Sequence, residues 1–253
     1  MRRLAWLAVV VLLTGAIAAW IARDRIGMAL FERAATAAIT RNVLTELGND
    51  RLHVGFCGTG SPLPGRDRGE ACTFVVADGR LFVFDAGEGA ARTLGAMGLP
   101  LTALEGVWLT HLHSDHFNGL ANLALQRWAG TAAQTPLPVA GPDGTKAITA
   151  ALTTAYRIDS TYRIAHHGPQ VVPPSGFGLA GADIAPGLVH DRDGVRITAF
   201  SVDHAPVSPA FGYRVDWRGL SVTITGDTAS YPGLAKAAAG TDLRTISLDA
   251  RSS

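Results

Sequence analysis

The segment THLHSDHFNG, residues 110–119, gathers three histidines and an aspartate within six positions. It begins at the end of GVWLT, an apolar and partly β-branched run that predicts a buried strand. Side chains at 111, 113, 115 and 116 cannot all face one way on a strand or a helix, whereas a loop can fold them around two adjacent points. Neutral imidazole binds Zn²⁺ in tetrahedral sites, which keep one position open when they are catalytic. We therefore predict a metal-binding loop rather than a set of hydrogen-bonded core histidines.

Strand-like and helix-like patterns alternate from Arg51 onward and must position this loop. The strand-like runs are RLHVGFC, ACTFVVA, RLFVFD, GVWLT, LPVAG, GVRITAFSV, FGYRVDW and LSVTIT, and the helix-like runs are GEGAARTLGAMG, FNGLANLALQRWAG and DGTKAITAALTTAYR. Because the two kinds interleave, with paired strands near each end, we predict one α/β domain over residues 51–253, with mixed sheets between helices.

The segment 166–194 is dense in Gly and Pro and has no periodicity, which predicts a long loop that acts as a lid or binding loop. Three histidines lie in it: His166, His167 and His190. Each is better interpreted as a solvated loop residue than as a ligand, although a substrate-facing role for the adjacent pair stays open.

The N-terminus carries an uncharged, largely apolar stretch from Leu4 to Ala22, just long enough to cross a bilayer as a helix. Positive charge is concentrated before it, so the positive-inside rule predicts an exported remainder. We see no convincing cleavage site, so residues 1–25 are predicted to form an uncleaved signal-anchor or transmembrane segment, with secretion as the alternative if it is cleaved. Residues 26–50 show helical spacing and are predicted to form a helical spacer.

The composition of the chain does not indicate a charged binding partner. The net charge is +1 and the basic residues form no run of the kind that binds nucleic acid or anionic lipid. Two cysteines are too few for a zinc-thiolate site. An oxidising compartment would permit a disulfide between Cys57 and Cys72, but we favour two small buried thiols on separate strands.

The sequence also resembles a known family. THLHSDH resembles the signature of the metallo-β-lactamase superfamily, and GTGSPLPGRDRGEACTFVV, LFVFDAGEGAARTL, FSVDHAPVSPAFGYRV and TITGDTA are similar to its tRNase Z and arylsulfatase-like branch. The motifs occur in the same order over residues 52–128 and 196–229. The resemblance implies an αββα sandwich with mixed sheets and a centre of two zinc ions.

The resemblance also implies a role for each ligand-type residue. The first zinc would be held by His111, His113 and His204, the second by Asp115 and His116, and Asp227 would bridge both. Without the other motifs, Asp227 would be read as an ordinary turn or helix N-cap aspartate. Asp85 is expected to support the metal loop without ligating. Backbone requirements explain Gly58, Gly60, Gly87 and Gly119, where a side chain would intrude.

The chemistry that this centre suits is hydrolysis. Two divalent ions about 3.5 to 4 Å apart lower the pKa of a bound water toward 7 and clamp the attacked group. The residue matching Asp115 in tRNase Z-like enzymes is thought also to take the proton of the water, so Asp115 is the candidate catalytic residue.

Two departures from the family pattern shape the functional prediction. Only APVSPAFGYRVDWRGLSVTITG separates His204 from Asp227, which leaves no room for the arm that tRNase Z enzymes use to grip tRNA. No histidine follows His204, and RTISLDARSS does not fit the strand and final histidine expected after GDT. We therefore expect an incomplete C-terminal end and one tightly bound zinc, with Asp227 as its fourth ligand, beside a weak second site.

Together these features favour a membrane-anchored zinc-dependent hydrolase whose catalytic domain is periplasmic or extracellular. Its substrate is expected to be a small exported ester, such as an aryl sulfate, a phosphodiester or a lactone, and nucleic acid is not favoured as a partner. One alternative is an inactive metal-binding remnant that lacks the last zinc histidine. The other is a tRNA 3′-processing endoribonuclease.

Overall fold

The computed structural model describes residues 42–63, 68–230 and 232–248, together with 25–30 and a few other positions between 6 and 33. Residues 42–253 form one compact unit and residues 1–41 another, and residues 25–30 of the latter are helical. The apolar stretch from Leu4 to Ala22 lies largely outside the described residues, and no helix among those described is long and apolar enough to cross a membrane. The division into residues 1–25, 26–50 and 51–253 stays a prediction.

Six strands form the first sheet, in the order β1 to β6. They are β1 (His53–Gly58), β2 (Cys72–Ala77), β3 (Arg80–Phe84), β4 (Leu104–Trp108), β5 (Leu137–Gly141) and β6 (Leu179–Asp183). The strands β1, β2 and β3 are antiparallel neighbours, whereas β3 to β6 run parallel. Parallel neighbours need crossover connections, and the helices lie in these connections.

Five strands form the second sheet, in the order β11, β10, β9, β8, β7. They are β7 (Gly187–Arg192), β8 (Val195–Ser201), β9 (Phe211–Trp217), β10 (Leu220–Thr228) and β11 (Leu243–Leu248). Only β10 and β11 are parallel, so this sheet is mixed too. Two of its hairpins turn at Asp193-Gly194 and Arg218-Gly219, where both residues of each pair have positive φ. Left-handed turns of this kind match the twist of the flanking strands.

The helices are α1 (Leu44–Leu47), α2 (Ala90–Ala96), α3 (Ser114–Phe117), α4 (Leu120–Thr131), α5 (Thr145–Ala155), α6 (Arg157–His167) and α7 (Pro232–Ala237). Strand β3 shows how the layers are held together, because side chains alternate between the two faces of a strand. Leu81 and Val83 belong to the core shared with α2 and α4, whereas Phe82 and Phe84 pack against the second sheet. The predicted α/β fold with mixed sheets is confirmed.

Two predictions about the backbone are wrong. Within 166–194, Leu179–Asp183 pairs with β5 and Gly187–Arg192 pairs with β8, so this segment is not one long loop. Both strands lie at sheet edges and are half-exposed, so their sequences lack the alternation that marks a half-buried strand. The C-terminal RTISL, which was not expected to continue the strand, lies in β11 and pairs with β10.

The favoured interpretation of the cysteines is also wrong. Cys57 and Cys72 are buried on the neighbouring strands β1 and β2 and form a disulfide. Their Cα atoms are 4.9 Å apart, because the register of the two strands shifts between Phe56 and Gly58 and brings Cys57 opposite its partner. The bridge closes the loop of residues 58–71 at its base.

Candidate metal centre

The ligand-type residues come from three regions of the chain and meet beside the two sheets. His111 and His113 lie in the loop after β4, and α3, which follows it, carries Asp115 and His116. His204 lies in the connection between β8 and β9. Asp227 lies near the end of β10, not in a turn or at a helix N-cap. Backbone hydrogen bonds fix these regions to one another, among them Phe211 N to Thr110 O (2.8 Å) and Ala229 N to Asp203 O (2.7 Å).

Three imidazoles form the first group of ligand atoms. The Nδ1 atom of His113 lies 2.9 Å from Nε2 of His111 and 3.5 Å from Nε2 of His204. His111 and His204 are buried, whereas His113 is exposed to solvent. The predicted convergence of positions 111 and 113 with the distant position 204 is therefore present in the fold.

The spacing of these nitrogens fits a metal ion. Zn–N bonds of about 2.0 to 2.1 Å in a tetrahedron place neighbouring nitrogens about 3.3 Å apart. The two measured separations, 2.9 and 3.5 Å, lie on either side of that value. Imidazole is also a ligand type that zinc prefers, so the three residues can hold one zinc ion.

The second group of ligand atoms comes from His111, His116 and Asp227. Nε2 of His116 lies 3.5 Å from the Asp227 carboxylate and 3.7 Å from the Asp115 carboxylate. Asp227 thus lies beside His116 and shares His111 with the first group, and its predicted roles, as a bridge between two ions or as the fourth ligand of the first, stay predictions. Asp115 stands next to this group but is in neither set of mutually close ligand atoms within the described part of the chain.

In the metal-free protein, the electrostatics of the group place one positive charge on His116. Burial, followed by the neighbouring His116 and His204, lowers the pKa of His111 to about 3, so this imidazole is neutral. Burial disfavours the charged form of His116, but the Asp85 and Asp227 carboxylates together outweigh it, and the pKa of His116 rises to about 10. Burial likewise disfavours ionised Asp227, yet the hydrogen bond to His116 holds its pKa well below the usual range. In the absence of a metal, His116 is thus the cation among these carboxylates.

Asp85 supports the loop through hydrogen bonds, as the sequence predicts. One carboxylate oxygen accepts the Thr110 backbone N–H at 2.8 Å, and the other accepts the Thr110 hydroxyl and lies 2.8 Å from Nδ1 of His116. This orients the opposite nitrogen, Nε2, toward Asp115 and Asp227. Asp85 has a φ of +60°, a left-handed backbone that Asp adopts more readily than most residues. Sequence reasoning missed Thr110, whose only signal is its place directly before His111.

The four predicted glycine positions are confirmed as close backbone contacts. A Cβ atom at Gly119 would lie 2.1 Å from the Gly87 oxygen, and one at Gly87 would lie 2.2 Å from the Asp115 oxygen. At Gly58 and Gly60 the nearest atoms are backbone oxygens of Glu70 and Gly69, at 1.7 and 2.8 Å. Only glycine allows these segments to pack so closely.

All the candidate ligands except His111 line a cavity of about 980 Å³ that is open to solvent. Its lining also includes Phe56, Thr59 and Pro62, and Arg244 and Ser247 of β11. The three histidines of the segment 166–194 lie elsewhere: His166 and His167 stack on each other at the end of α6, and His190, on β7, packs edge-on against Phe82 and Trp108. They do not join the candidate metal ligands.

Comparison with known proteins agrees with this architecture. Residues 65–250 match the model of the metallo-beta-lactamase superfamily. The chain belongs to this superfamily. The superfamily is one of metal-dependent hydrolases, and its His-rich sites typically bind zinc.

The relatives support the tRNase Z branch. The chain is 42% identical over 191 residues to a ribonuclease Z of Mycobacterium avium and 39% identical to one of Mycobacterium marinum. Each alignment covers 75% of this chain and 67% of the relative, so the chain spans about two thirds of the relatives' length. Human tRNase Z, short form, has the same fold, with a TM-score of 0.58, 24% identity and coverage of 76% of both chains. The Bacillus subtilis fold protein YhfI superposes with a TM-score of 0.59 at 16% identity, over 77% of this chain and 70% of its own.

Three predictions are corrected by these findings. A hydrolase of small exported esters is wrong as the main function, because the relatives are named as nucleases, and the arylsulfatase-like assignment has no support among them. The exclusion of nucleic acid as a partner is wrong for the same reason. The membrane-anchored, exported location is overturned by the same relatives, and the described residues contain no membrane-spanning helix.

Proposed function

We propose that this chain is a metal-dependent endoribonuclease that cleaves a phosphodiester bond on the 3′ side of tRNA precursors. The observation that carries the proposal is the 42% identity to a ribonuclease Z across 191 residues. The convergence of four histidines and two aspartates at an open cavity supports it. An inactive remnant is the alternative that the same experiment tests.

We assign the metal ligands as follows. Nitrogen atoms of His111, His113 and His204 hold one zinc ion tightly, and His116 with Asp227, and with Asp115 close by, provides a weaker second position. Bound divalent ions polarise the scissile phosphate and make water acidic enough to attack at neutral pH. Asp85 is assigned to orient His116, because a hydrogen bond to the nitrogen that faces away from the metal fixes the tautomer and the angle of a ligating imidazole.

Asp115 is assigned as the proton acceptor. Its carboxylate is buried, and one oxygen lies 3.7 Å from Nε2 of His116, at the floor of the cavity. A carboxylate at this position can accept the proton of an attacking water that lies within hydrogen-bond distance of it. Asp227, 3.5 Å from Nε2 of His116, keeps its assignment as a ligand of the second position.

Substrate is held by the cavity walls in this proposal. The connection from His204 to Asp227 is short and passes almost at once into β9 and β10, so it carries no inserted arm. Arg244 lies on the cavity wall and offers a guanidinium for RNA phosphates. We therefore expect binding to be sensitive to salt, since phosphate contacts release counterions.

The test is cleavage of a 5′-labelled tRNA precursor that carries a 3′ trailer. We expect one labelled product of mature 3′ end, formed by the zinc-loaded protein and lost with a chelator or in His113→Ala. His166→Ala, which changes an exposed histidine outside the cluster, is the matched control and should cleave like the wild type. If the zinc-loaded wild type releases no trailer under conditions in which a known ribonuclease Z does, the assignment is wrong and the remnant interpretation stands.

A further inference from the structure

A short segment behind the metal loop has no role in the predictions from sequence. Residues Gly69–Ala71, here called the strap, end the loop of residues 58–71 and lead into β2. The disulfide between Cys57 and Cys72 fixes the strap at its C-terminal side. On its other side Gly60 N donates to Gly69 O at 2.7 Å, which closes the base of the loop.

The strap packs against the turn that follows Asp85. Glu70 N donates to Glu88 O at 3.0 Å, and Gly87 N donates to Ala71 O at 2.9 Å. The other side of this turn contacts α3 and the residues after it: Ala86 N donates to His116 O, and Gly119 N donates to Ala86 O, both at 2.8 Å. The turn is therefore held between the strap and the segment that carries Asp115 and His116.

The Glu70 side chain extends from the strap past the turn after Asp85 to the end of α3. One carboxylate oxygen accepts the Glu88 backbone N–H at 2.8 Å and lies 3.4 Å from the Asn118 side-chain amide. It thus contacts the turn after Asp85 and the end of α3 with the same atom. Hydrogen bonds to an ionised acceptor are about twice as strong as neutral ones.

We infer that Glu70 is a positioning residue, which holds Asp115 and His116 at the angle that the metal centre requires. Among the described residues its carboxylate hydrogen-bonds to none of the candidate ligands, and it acts through the turn and through Asn118. The inference rests on the metal centre of the proposed function. The disulfide at the base of the strap gives Glu70 a fixed backbone from which to act.

The test compares Glu70→Ala, Glu70→Gln and Glu88→Ala. Glu88→Ala removes the same charge from the turn that Glu70 contacts, but the Glu88 side chain is exposed and hydrogen-bonds to no described residue. Glu70→Ala should weaken zinc binding, measured by chelator competition, roughly tenfold. It should lower kcat with KM unchanged, because substrate contacts are intact. Glu70→Gln, which keeps an acceptor for the Glu88 N–H, should recover part of both losses.

A second readout needs neither metal nor RNA. Amide hydrogen exchange across residues 114–119 of the metal-free protein should be faster in Glu70→Ala than in Glu88→Ala, roughly tenfold. If Glu70→Ala fails to fold, Asn118→Ala removes only the contact at the end of α3 and should show the same local effect, smaller in size. If amide exchange across residues 114–119 is the same in Glu70→Ala and Asn118→Ala as in the wild type, the inference is wrong. A wild-type protein that binds no zinc would refute the metal centre, while exchange would still decide the role of Glu70.

Discussion

Replacing Asp85 with alanine should destabilise the metal-free protein by about 3 to 5 kcal/mol. The substitution removes three contacts of 2.8 Å made by a buried carboxylate. The Thr110 hydroxyl can turn to Nδ1 of His111, 3.0 Å away, but the Thr110 N–H is left without an acceptor and Nδ1 of His116 keeps only the Thr110 hydroxyl, at 3.4 Å. Each orphaned buried group costs about 1 to 3 kcal/mol, and breaking a buried charged pair costs about 3 to 5 kcal/mol.

The backbone at this position must be controlled for, because alanine disfavours a φ of +60°. Asp78→Ala is the matched control, since Asp78 has a φ of +54° in an exposed hairpin turn. The left-handed backbone alone costs about 1 to 2 kcal/mol. Asp85→Asn keeps one acceptor oxygen and the backbone preference, so it should fall between the wild type and Asp85→Ala.

The assay is urea denaturation of chelator-treated protein, followed by circular dichroism. Free energies of unfolding are compared at one pH near neutrality, where the wild-type His116 is protonated. A difference of less than about 1 kcal/mol between Asp85→Ala and Asp78→Ala would refute the argument that Asp85 holds the loop.

Three further predictions concern the scaffold. Gly119→Ala places a Cβ 2.1 Å from the Gly87 oxygen and should lower the free energy of unfolding by about 1 to 3 kcal/mol. The control is Gly130→Ala on α4, where a Cβ would meet no atom within 4 Å, and it should leave the free energy of unfolding unchanged or raise it in the same urea titration. The double variant Cys57→Ala, Cys72→Ala removes a disulfide between residues 15 positions apart and should lower the free energy of unfolding by about 3 kcal/mol. The loss is measured as a lower denaturation midpoint in non-reducing buffer. An unchanged midpoint would contradict a stabilising role for the disulfide. Burial, and then Asp85, raise the pKa of Tyr213 well above 10, so above pH 10 the unfolded chain loses a proton that the folded protein keeps. The free energy of unfolding of the wild type should therefore fall more steeply with rising pH than that of Tyr213→Phe. Parallel pH curves for the two proteins would show that this hydroxyl does not couple folding to pH.

The sequence predicts the parts of this protein that are set by periodicity and by local spacing. The strands from β1 to β5 and from β8 to β10 follow from apolar patterns, because each has at least one face buried in a core. The loop from His111 to His116 follows from the density of imidazoles, since a metal is the simplest reason to gather them.

Features that depend on tertiary contacts were not predictable in the same way. Strands β6, β7 and β11 form by pairing with a neighbour at a sheet edge, and β6 and β7 have no buried residue, so their sequences show no strong apolar pattern. The disulfide depends on the register shift beside Cys57, which appears only when β1 and β2 are paired. Glu70 reaches Asn118 only because glycines let three backbone segments stack, and the spacing of the two residues gives no hint of it.

The most direct test of the account is the zinc content of dialysed protein, measured by mass spectrometry for the wild type, His204→Ala and His190→Ala. His204 is the ligand that must cross from the second sheet region to the loop after β4, whereas His190 packs against Trp108 away from the centre. We predict at least one zinc ion per chain in the wild type and His190→Ala, and a loss of tightly bound zinc in His204→Ala. Equal zinc in the wild type and His204→Ala, or none in either, would contradict a centre built from these distant residues.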